Sequence, residues 1–581
     1  MDGMKELMLG NQAVAQGLYQ AGCRVVSSYP GTPSTEITEF ASTYPEIYTE
    51  WAPNEKVAYE AAMGASIAGA RAFCAMKHVG LNVAADPLFT TAYTGVGGGM
   101  VAAVADDPGM HSSQNEQDSR RYAVAAKLPM LEPADSQECA DYTEAAFRLS
   151  EEYDTPVLLR LSTRVSHSQS LVETKARQEL PLKPYQKDPG KYVMMPANAK
   201  KRRVAVEGRM AALEKLAETG SFNRVEPGSD RRIGVITAGI CYQYVREAMP
   251  DAPILKLGLL NPLPVKLILD FAETVDEVIV AEELDPVIES HCAAIGVPVR
   301  GKELFGAIGE LSQNLVRQKL TSREPEAGCQ YPGELPVRPP ILCPGCPHRG
   351  LFYTLHKLGL TVFGDIGCYT LGSLPPLSAM DVTLCMGASV SGLHGFLKAR
   401  PEEAGKAVGV IGDSTFVHSG ITGLIDTVYN KGLSTVIILD NSITGMTGHQ
   451  ENPTTGRDIH RQPAPQLSIE GVCQAVGVEK VLIADPGDLP AMEAAVREAL
   501  AWEGAAVVIA RRPCALLKGV KRLPPVRVEE SVCIGCRACM RIGCPAISFH
   551  GGRAHIDETL CVGCGLCVGL CPKDAIKEGA K

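Results

Sequence analysis

The chain has 581 residues, 45% apolar and 21% charged, with 56 Lys and Arg against 66 Asp and Glu for a net charge of −10. This is a globular composition, long enough for about four domains at roughly 150 residues each, and its acidic balance argues against a nucleic-acid partner. No apolar run reaches the roughly 18 residues of a membrane span, and the opening MDGMKELMLGNQ lacks the charged-then-apolar order of a secretory leader, so neither membrane insertion nor export is expected and a cytoplasmic location is.

Residues 1 to about 190 alternate short apolar runs with helical stretches. In SYPGTPSTEI (28–37), Pro30 and Pro33 shape a loop. NEKVAYEAAMGASIAGARA (54–72) is a helix rich in small residues, followed by the apolar strand AFCAM, and PVLLRLST (156–163) is a second buried strand. DDPGMHSSQNEQDSR (106–120) is polar and loop-like; its His111, Ser112, Gln114 and Arg120 either line a site or belong to a solvated loop. A polar connector follows, and its basic run Lys200-Lys201-Arg202-Arg203 is expected to be a solvated linker. From about 231, RRIGVITAG and VDEVIVAEE (275–283) are strands of a smaller α/β unit ending near 320, and TSREPEAGCQYPGELPVRPP is a Pro- and Gly-rich linker. A third α/β unit runs from about 340 to 515 with strands AVGVIG (407–412), STVIILD (434–440) and AAVVIA (505–510), and KRLPPVRVEE (521–530) leads into a cysteine-rich tail. Strands alternating with helices predict parallel, doubly wound sheets. The expected domains are residues 1–190, 230–320, 340–515 and 525–581.

Within the third unit, residues 411–448 read strand, turn, helix, strand, turn, with Gly412-Asp413 at the carboxyl end of one strand and Asn441 at the end of the next. Open parallel sheets bind ligands outside these strand ends. An acid and an amide delivered there suit Mg²⁺, which takes oxygen ligands and shares diphosphate oxygens. Gly412 and Gly420 are expected to let a diphosphate approach the backbone, and a helix N-terminus favours its charge. Gly-Asp-Ser with Asn 29 positions after the Gly resembles the thiamine-diphosphate signature GDG…N, with Ser414 in place of the usual third-position Gly. The resemblance implies that Asp413, Asn441 and the main-chain carbonyl of Ile443 hold Mg²⁺, with Gly412 and Ser414 at the diphosphate. The residues alone also allow a nucleotide-type α/β turn with ordinary capping groups.

Of 20 cysteines, eight fall between Cys533 and Cys571. In a cytosolic chain such crowding points to metal or iron–sulfur ligation rather than disulfides. Cys533-x2-Cys536-x2-Cys539-x4-Cys544-Pro545 and Cys561-x2-Cys564-x2-Cys567-x3-Cys571-Pro572 form the bacterial two-cluster ferredoxin pattern, in which the fourth cysteine of each run serves the other cluster. One [4Fe-4S] cluster then takes Cys533, Cys536, Cys539 and Cys571, the other Cys561, Cys564, Cys567 and Cys544. Zinc sites pair two CxxC units instead. The first run departs by one extra residue before its last cysteine, which removes no ligand.

Taken with CPGCPHRG (343–350), GDIGCYTLGSLPP (364–376) and LDNSITGMTG, these motifs resemble the 2-oxoacid:ferredoxin oxidoreductase family, and within it the alpha subunits that act on indolepyruvate, over almost the whole chain. The resemblance implies an α/β fold with two thiamine-diphosphate-binding domains, a smaller α/β domain and a two-cluster ferredoxin-like domain. Glu55, in the small-residue helix, would bond the aminopyrimidine ring and promote C2 deprotonation, with Glu60 as second candidate. Thr32, in SYPGTPSTEI, would lie near the substrate carboxylate. The implied reaction is oxidative decarboxylation of an aryl 2-oxoacid, with acyl transfer to coenzyme A and two electrons passed through the clusters to external ferredoxin, in a hetero-oligomer with a smaller beta subunit. Related enzymes use a CxGC pair plus two distant cysteines for a cluster near the cofactor. Cys343, Cys346, Cys368 and Cys514 match that arrangement, although the CPGC turn could simply shape the pocket. The rivals are the same chemistry on pyruvate or a branched 2-oxoacid, a non-oxidative thiamine decarboxylase or carboligase, and an electron-transfer module without thiamine.

Overall fold

The computed structural model describes residues 5–321, 332–336 and 338–579; most of the linker expected over 321–340 lies outside these residues. The chain divides into two compact units, Met1–Pro332 and Gly333–Lys581.

The first unit is built on a seven-stranded sheet. Its order is Leu259–Asn261, Met130–Leu131, Val157–Ser162, Met100–Asp106, Ala72–Lys77, Val25–Ser28, Tyr48–Trp51. All neighbours are parallel except the edge strand Leu259–Asn261. The central strands are continuous apolar runs, because helices cover both faces of the sheet. Chain order reverses between Val25–Ser28 and Ala72–Lys77, and loops from both strand ends open there. A four-stranded sheet, Glu277–Ala281, Ile233–Ala238, Ile254–Leu257, Arg224–Glu226, forms the smaller α/β part. Its segment also supplies the strand Leu259–Asn261 to the larger sheet.

The basic run at 200–203 is not a linker. It lies in a 24-residue helix, Pro196–Thr219. The sequence is strong in helix formers, but only Val206, Arg209, Leu213 and Ala217 are buried, a stripe too narrow to stand out among the charges. Arg202 donates to the carbonyls of Tyr93 and Thr94 and to Asp154, fastening the helix to the sheet domain.

The second unit holds a six-stranded parallel sheet. Its order is Val382–Thr383, Thr361–Gly364, Ala407–Gly412, Thr435–Asp440, Ala506–Arg511, Lys480–Ala484. The reversal falls between Thr361–Gly364 and Ala407–Gly412, so the loops beginning at Asp365 and Asp413 share one crevice. The cysteine-rich tail packs two short antiparallel ribbons, Ile547–His550 with Arg553–Ile556 and Arg527–Val528 with Ile576–Lys577, around its own apolar cluster. Among the described residues no helix is long and apolar enough to cross a membrane.

Candidate active site

In the first unit, the candidate residues gather at the carboxyl edge of the seven-stranded sheet. Glu55 opens the helix Glu55–Ile67, which Asn54 caps by accepting the Val57 N–H at 2.9 Å. The Glu55 side chain is 4% exposed and lies against Gly80, where a Cβ would come within 2.6 Å of its Oε1. Glu60 stands on the solvent face of the same helix, 46% exposed and ion-paired with Lys56. Thr32 follows the strand Val25–Ser28, and its carbonyl accepts from Ser112 Oγ at 3.2 Å. Lys77 packs under Gly31 and donates to the Ser112 carbonyl at 2.9 Å, and burial draws its ammonium down to about 8.

The loop after Met100–Asp106 is held by Asp107, which accepts from the Ser112 N–H at 2.8 Å and from Ser113 and Thr163 hydroxyls at 2.7 Å each. Ser112 and Gln114 are exposed, while His111 pairs with Glu310 at 2.9 Å. Arg120 does not line the site. It is 3% exposed and fully engaged with Asp118, Glu282 and the carbonyls of Glu283 and Asp285.

In the second unit, Asp413 is 2% exposed, accepting from the Ser414 N–H at 2.7 Å and from Thr454 Oγ1 at 3.4 Å. Burial, and then the neighbouring Asp440 carboxylate, pushes its carboxyl up to about 7. Asp440 has Arg511 at 2.7 Å as counter-ion, whereas among the described residues no Lys, Arg or His pairs with Asp413. A buried acid without a protein cation, beside the buried amide of Asn441, is an oxygen donor set that fits Mg²⁺. Ser442 turns the chain with φ 59°, placing Ile443 next in the loop.

The protein's own packing also requires the two motif glycines. A Cβ on Gly412 would lie 2.8 Å from the Tyr369 ring, and one on Gly420 would lie 2.7 Å from Ile411 Cδ1. Tyr369, Asp365 and Thr454 were not singled out from the sequence. Asp365 is completely buried and ties the loop by accepting from the N–H groups of Ile366, Gly387 and Ser389 and from the Ser389 hydroxyl at 2.8–3.1 Å. Its signal was available, since Gly364-Asp365 repeats at the adjacent strand end the pairing of Gly412-Asp413.

The cysteines form three neighbourhoods. Cys533, Cys536, Cys539 and Cys571 line one small cavity, partly open to solvent. The Cys567 thiol is pushed up to about 12 by burial and then by Cys564, Cys544 and Cys561. Both groupings cross between the two runs. Cys368 is pushed up to about 11 by burial and then by Cys514 and Cys343, and Cys346 up to about 12 by burial with Cys368 and Cys343 beside it. Cys514 in turn is raised by burial, Cys343 and Asp413, which brings this third set next to the carboxylate of the diphosphate motif. Among the described residues no three His, Cys, Asp or Glu side chains are grouped to hold a metal ion.

Three family profiles match this chain. They are the C-terminal TPP binding domain of thiamine pyrophosphate enzymes over residues 365–510, the thiamine diphosphate-binding domain of pyruvate flavodoxin/ferredoxin oxidoreductases over 16–215, and a 4Fe-4S binding domain over 554–577. The indolepyruvate oxidoreductase subunit IorA of Methanothermobacter marburgensis is 43% identical over 100% of this chain and 98% of its own. That of Archaeoglobus fulgidus is 40% identical over 99% of this chain and 98% of its own. Among solved structures, the 2-oxoglutarate:ferredoxin oxidoreductase from Magnetococcus marinus overlaps 55% of this chain and 65% of that chain at 19% identity and a TM-score of 0.47, too loose a match to argue from. With relatives this similar along the full length of both chains, the protein belongs to the family of indolepyruvate oxidoreductase subunit IorA, and it is an enzyme of the 2-oxoacid:ferredoxin oxidoreductase type.

Proposed function

We propose that this chain is the catalytic alpha subunit of a cytoplasmic hetero-oligomer that decarboxylates indole-3-pyruvate oxidatively, transferring the acyl group to coenzyme A and two electrons to external ferredoxin. The balance is one 2-oxoacid, one coenzyme A thiol and two oxidised ferredoxins giving acyl-CoA, carbon dioxide, two reduced ferredoxins and a proton. The names of the full-length relatives, subunits of an indolepyruvate oxidoreductase, support the indolepyruvate substrate and a partner subunit. We assign residues 1–190 and 340–515 as the two cofactor-binding domains, 230–320 as the intermediate domain and 525–581 as the ferredoxin-type domain.

Asp413, Asn441 and the Ile443 carbonyl would hold Mg²⁺, with the Gly412–Ser414 turn at the diphosphate. Bound thiamine diphosphate supplies the carbon nucleophile and the electron sink. Glu55 holds or takes the proton at the aminopyrimidine nitrogen, a task suited to a buried carboxyl. The Thr32 hydroxyl orients the substrate carboxylate. The crossed tail sets would hold two [4Fe-4S] clusters, and Cys343, Cys346, Cys368 and Cys514 would hold a third.

One observation carries the oxidative reading: the Cys514 N–H donates to the carbonyl of Asn441 at 3.0 Å, so an electron acceptor on this cysteine set would stand beside the cofactor motif. A non-oxidative thiamine enzyme has no use for that arrangement. The test is an anaerobic assay of alpha and beta subunits together, with coenzyme A, a viologen dye and a panel of 2-oxoacids. Dye reduction fastest with indolepyruvate and dependent on coenzyme A supports the proposal. Equal rates on pyruvate or branched 2-oxoacids overturn the substrate, and aldehyde formation without dye reduction overturns the oxidative chemistry.

A further inference from the structure

Arg349 is 2% exposed, yet among the described residues no carboxylate pairs with it. Its guanidinium donates instead to four main-chain carbonyls. Leu342 and Cys343 lead into the CPGC turn, and Ile542 and Gly543 immediately precede Cys544 in the tail. An arginine is always charged, and a buried cation without an anion is strongly disfavoured. The groups able to carry negative charge near it are cysteine sulfurs. Burial draws the guanidinium down, and Cys544, Cys346, Cys343 and Cys564, drawn from two different cysteine sets, work against it. A second contact presses the same surfaces together: Gly345, at φ +71°, leaves room for Val562, whose Cγ2 would be 2.3 Å from a Cβ at that position. Val562 lies between Cys561 and Cys564.

We propose that Arg349 is a positioning residue of the electron path, clamping the tail onto the CPGC turn and serving as the shared cation between the cluster at Cys343, Cys346, Cys368 and Cys514 and the cluster at Cys544, Cys561, Cys564 and Cys567. The inference rests on the reading that both sets hold clusters. A [4Fe-4S] centre on four thiolates is anionic and gains charge on reduction, so a fixed cation favours the reduced form and raises its potential. A cation shared by both sets would offset the added charge on either cluster, so no proton need accompany the electron. The backbone bonds at Cys343 and before Cys544 hold the two ligand segments in contact.

The experiment is a redox titration followed by electron paramagnetic resonance on the anaerobically reconstituted full-length chain, with wild type, Arg349→Met and Arg349→Lys compared. Met removes charge and clamp at similar length, whereas Lys keeps the charge but not the planar fork. In Arg349→Met the two neighbouring potentials should fall while that of the cluster at Cys533, Cys536, Cys539 and Cys571 stays. In Arg349→Lys all potentials should stay near wild type while trypsin releases the tail faster at the exposed Lys518, Lys521 and Arg522. If Arg349→Met loses its iron, Arg349→Lys decides alone, and a wild-type rate of tail release overturns the clamp. Twelve irons per wild-type chain with unmoved potentials in Arg349→Met overturn the role of Arg349, whereas eight irons per wild-type chain overturn the cysteine assignment beneath it.

Discussion

Replacing Gly80 with Ala probes Glu55 without altering its carboxyl. Gly80 lies in the short helix His78–Val83 with ordinary helical backbone, so alanine brings no conformational strain of its own. Its methyl would lie 2.6 Å from Glu55 Oε1, 2.7 Å from Cγ and 2.9 Å from Cδ. Carbon contacts are optimal only from about 3.5 Å, so the carboxyl must retreat by roughly 1 Å. Overpacking costs about 1–3 kcal/mol, and here the low end applies, because the atoms that must move belong to the end of a flexible side chain. A displacement of that size at a reacting group costs about 100-fold in rate, or about 2.7 kcal/mol of barrier. Gly80→Ala should therefore fold, keep wild-type thiamine diphosphate content, and lose about 100-fold in kcat. Deuterium exchange at C2 of the bound cofactor, followed by NMR, should slow in parallel. Glu55→Gln should likewise retain the cofactor and lose the exchange. A folded, fully loaded Gly80→Ala enzyme with wild-type exchange would refute the role given to Glu55.

Asp413→Ala should abolish retention of Mg²⁺ and thiamine diphosphate on gel filtration while the iron content of the tail is unchanged; normal cofactor content would remove Asp413 from the metal site. Cys571→Ala should erase the resonance signal of the cluster held by Cys533, Cys536 and Cys539 and spare the one held by Cys561, Cys564 and Cys567, and the opposite loss would uncross the assignment. The Glu283 carboxyl is pushed up to about 7 by burial, so the folded chain keeps a proton that the unfolded chain releases near its ordinary value of 4.5. Stability is therefore lost as pH rises through that window, by up to about 3 kcal/mol. Glu283→Gln should gain on wild type by that amount between the two ends of the window in urea unfolding, and a constant difference would contradict it.

Much of the chemistry could be read in advance because it is written in short spacings. The two cysteine runs, the Gly412-Asp413 pair and Asn441 each sit at a strand end or tight loop, where neighbours in sequence are neighbours in space. What escaped reading depends on contacts between distant segments. Arg120 was indistinguishable from a site-lining arginine until Glu282, 162 residues away, took its guanidinium. That Gly412 also makes room for the ring of Tyr369, 43 residues earlier, left no trace in the motif. Arg349 reaches carbonyls 193 and 194 residues away, and backbone acceptors leave no mark on the sequence. The helix Pro196–Thr219 failed for another reason: its buried stripe is narrow, so charge density suggested a linker where a helix forms.

The edge strand Leu259–Asn261 also sets an order of events during synthesis. Until it emerges from the ribosome, the growing seven-stranded sheet ends at Met130–Leu131, a two-residue strand with an unsatisfied ladder on its outer side. Open apolar edges recruit other chains, and nascent chains lengthen by only about 5–20 residues per second. The N-terminal layer must then wait several seconds with that border uncovered, in the company of identical chains on the same message. A fragment cut at about residue 190 would carry the open border permanently, and it should form intermolecular sheet aggregates, whereas one cut near 320 should not.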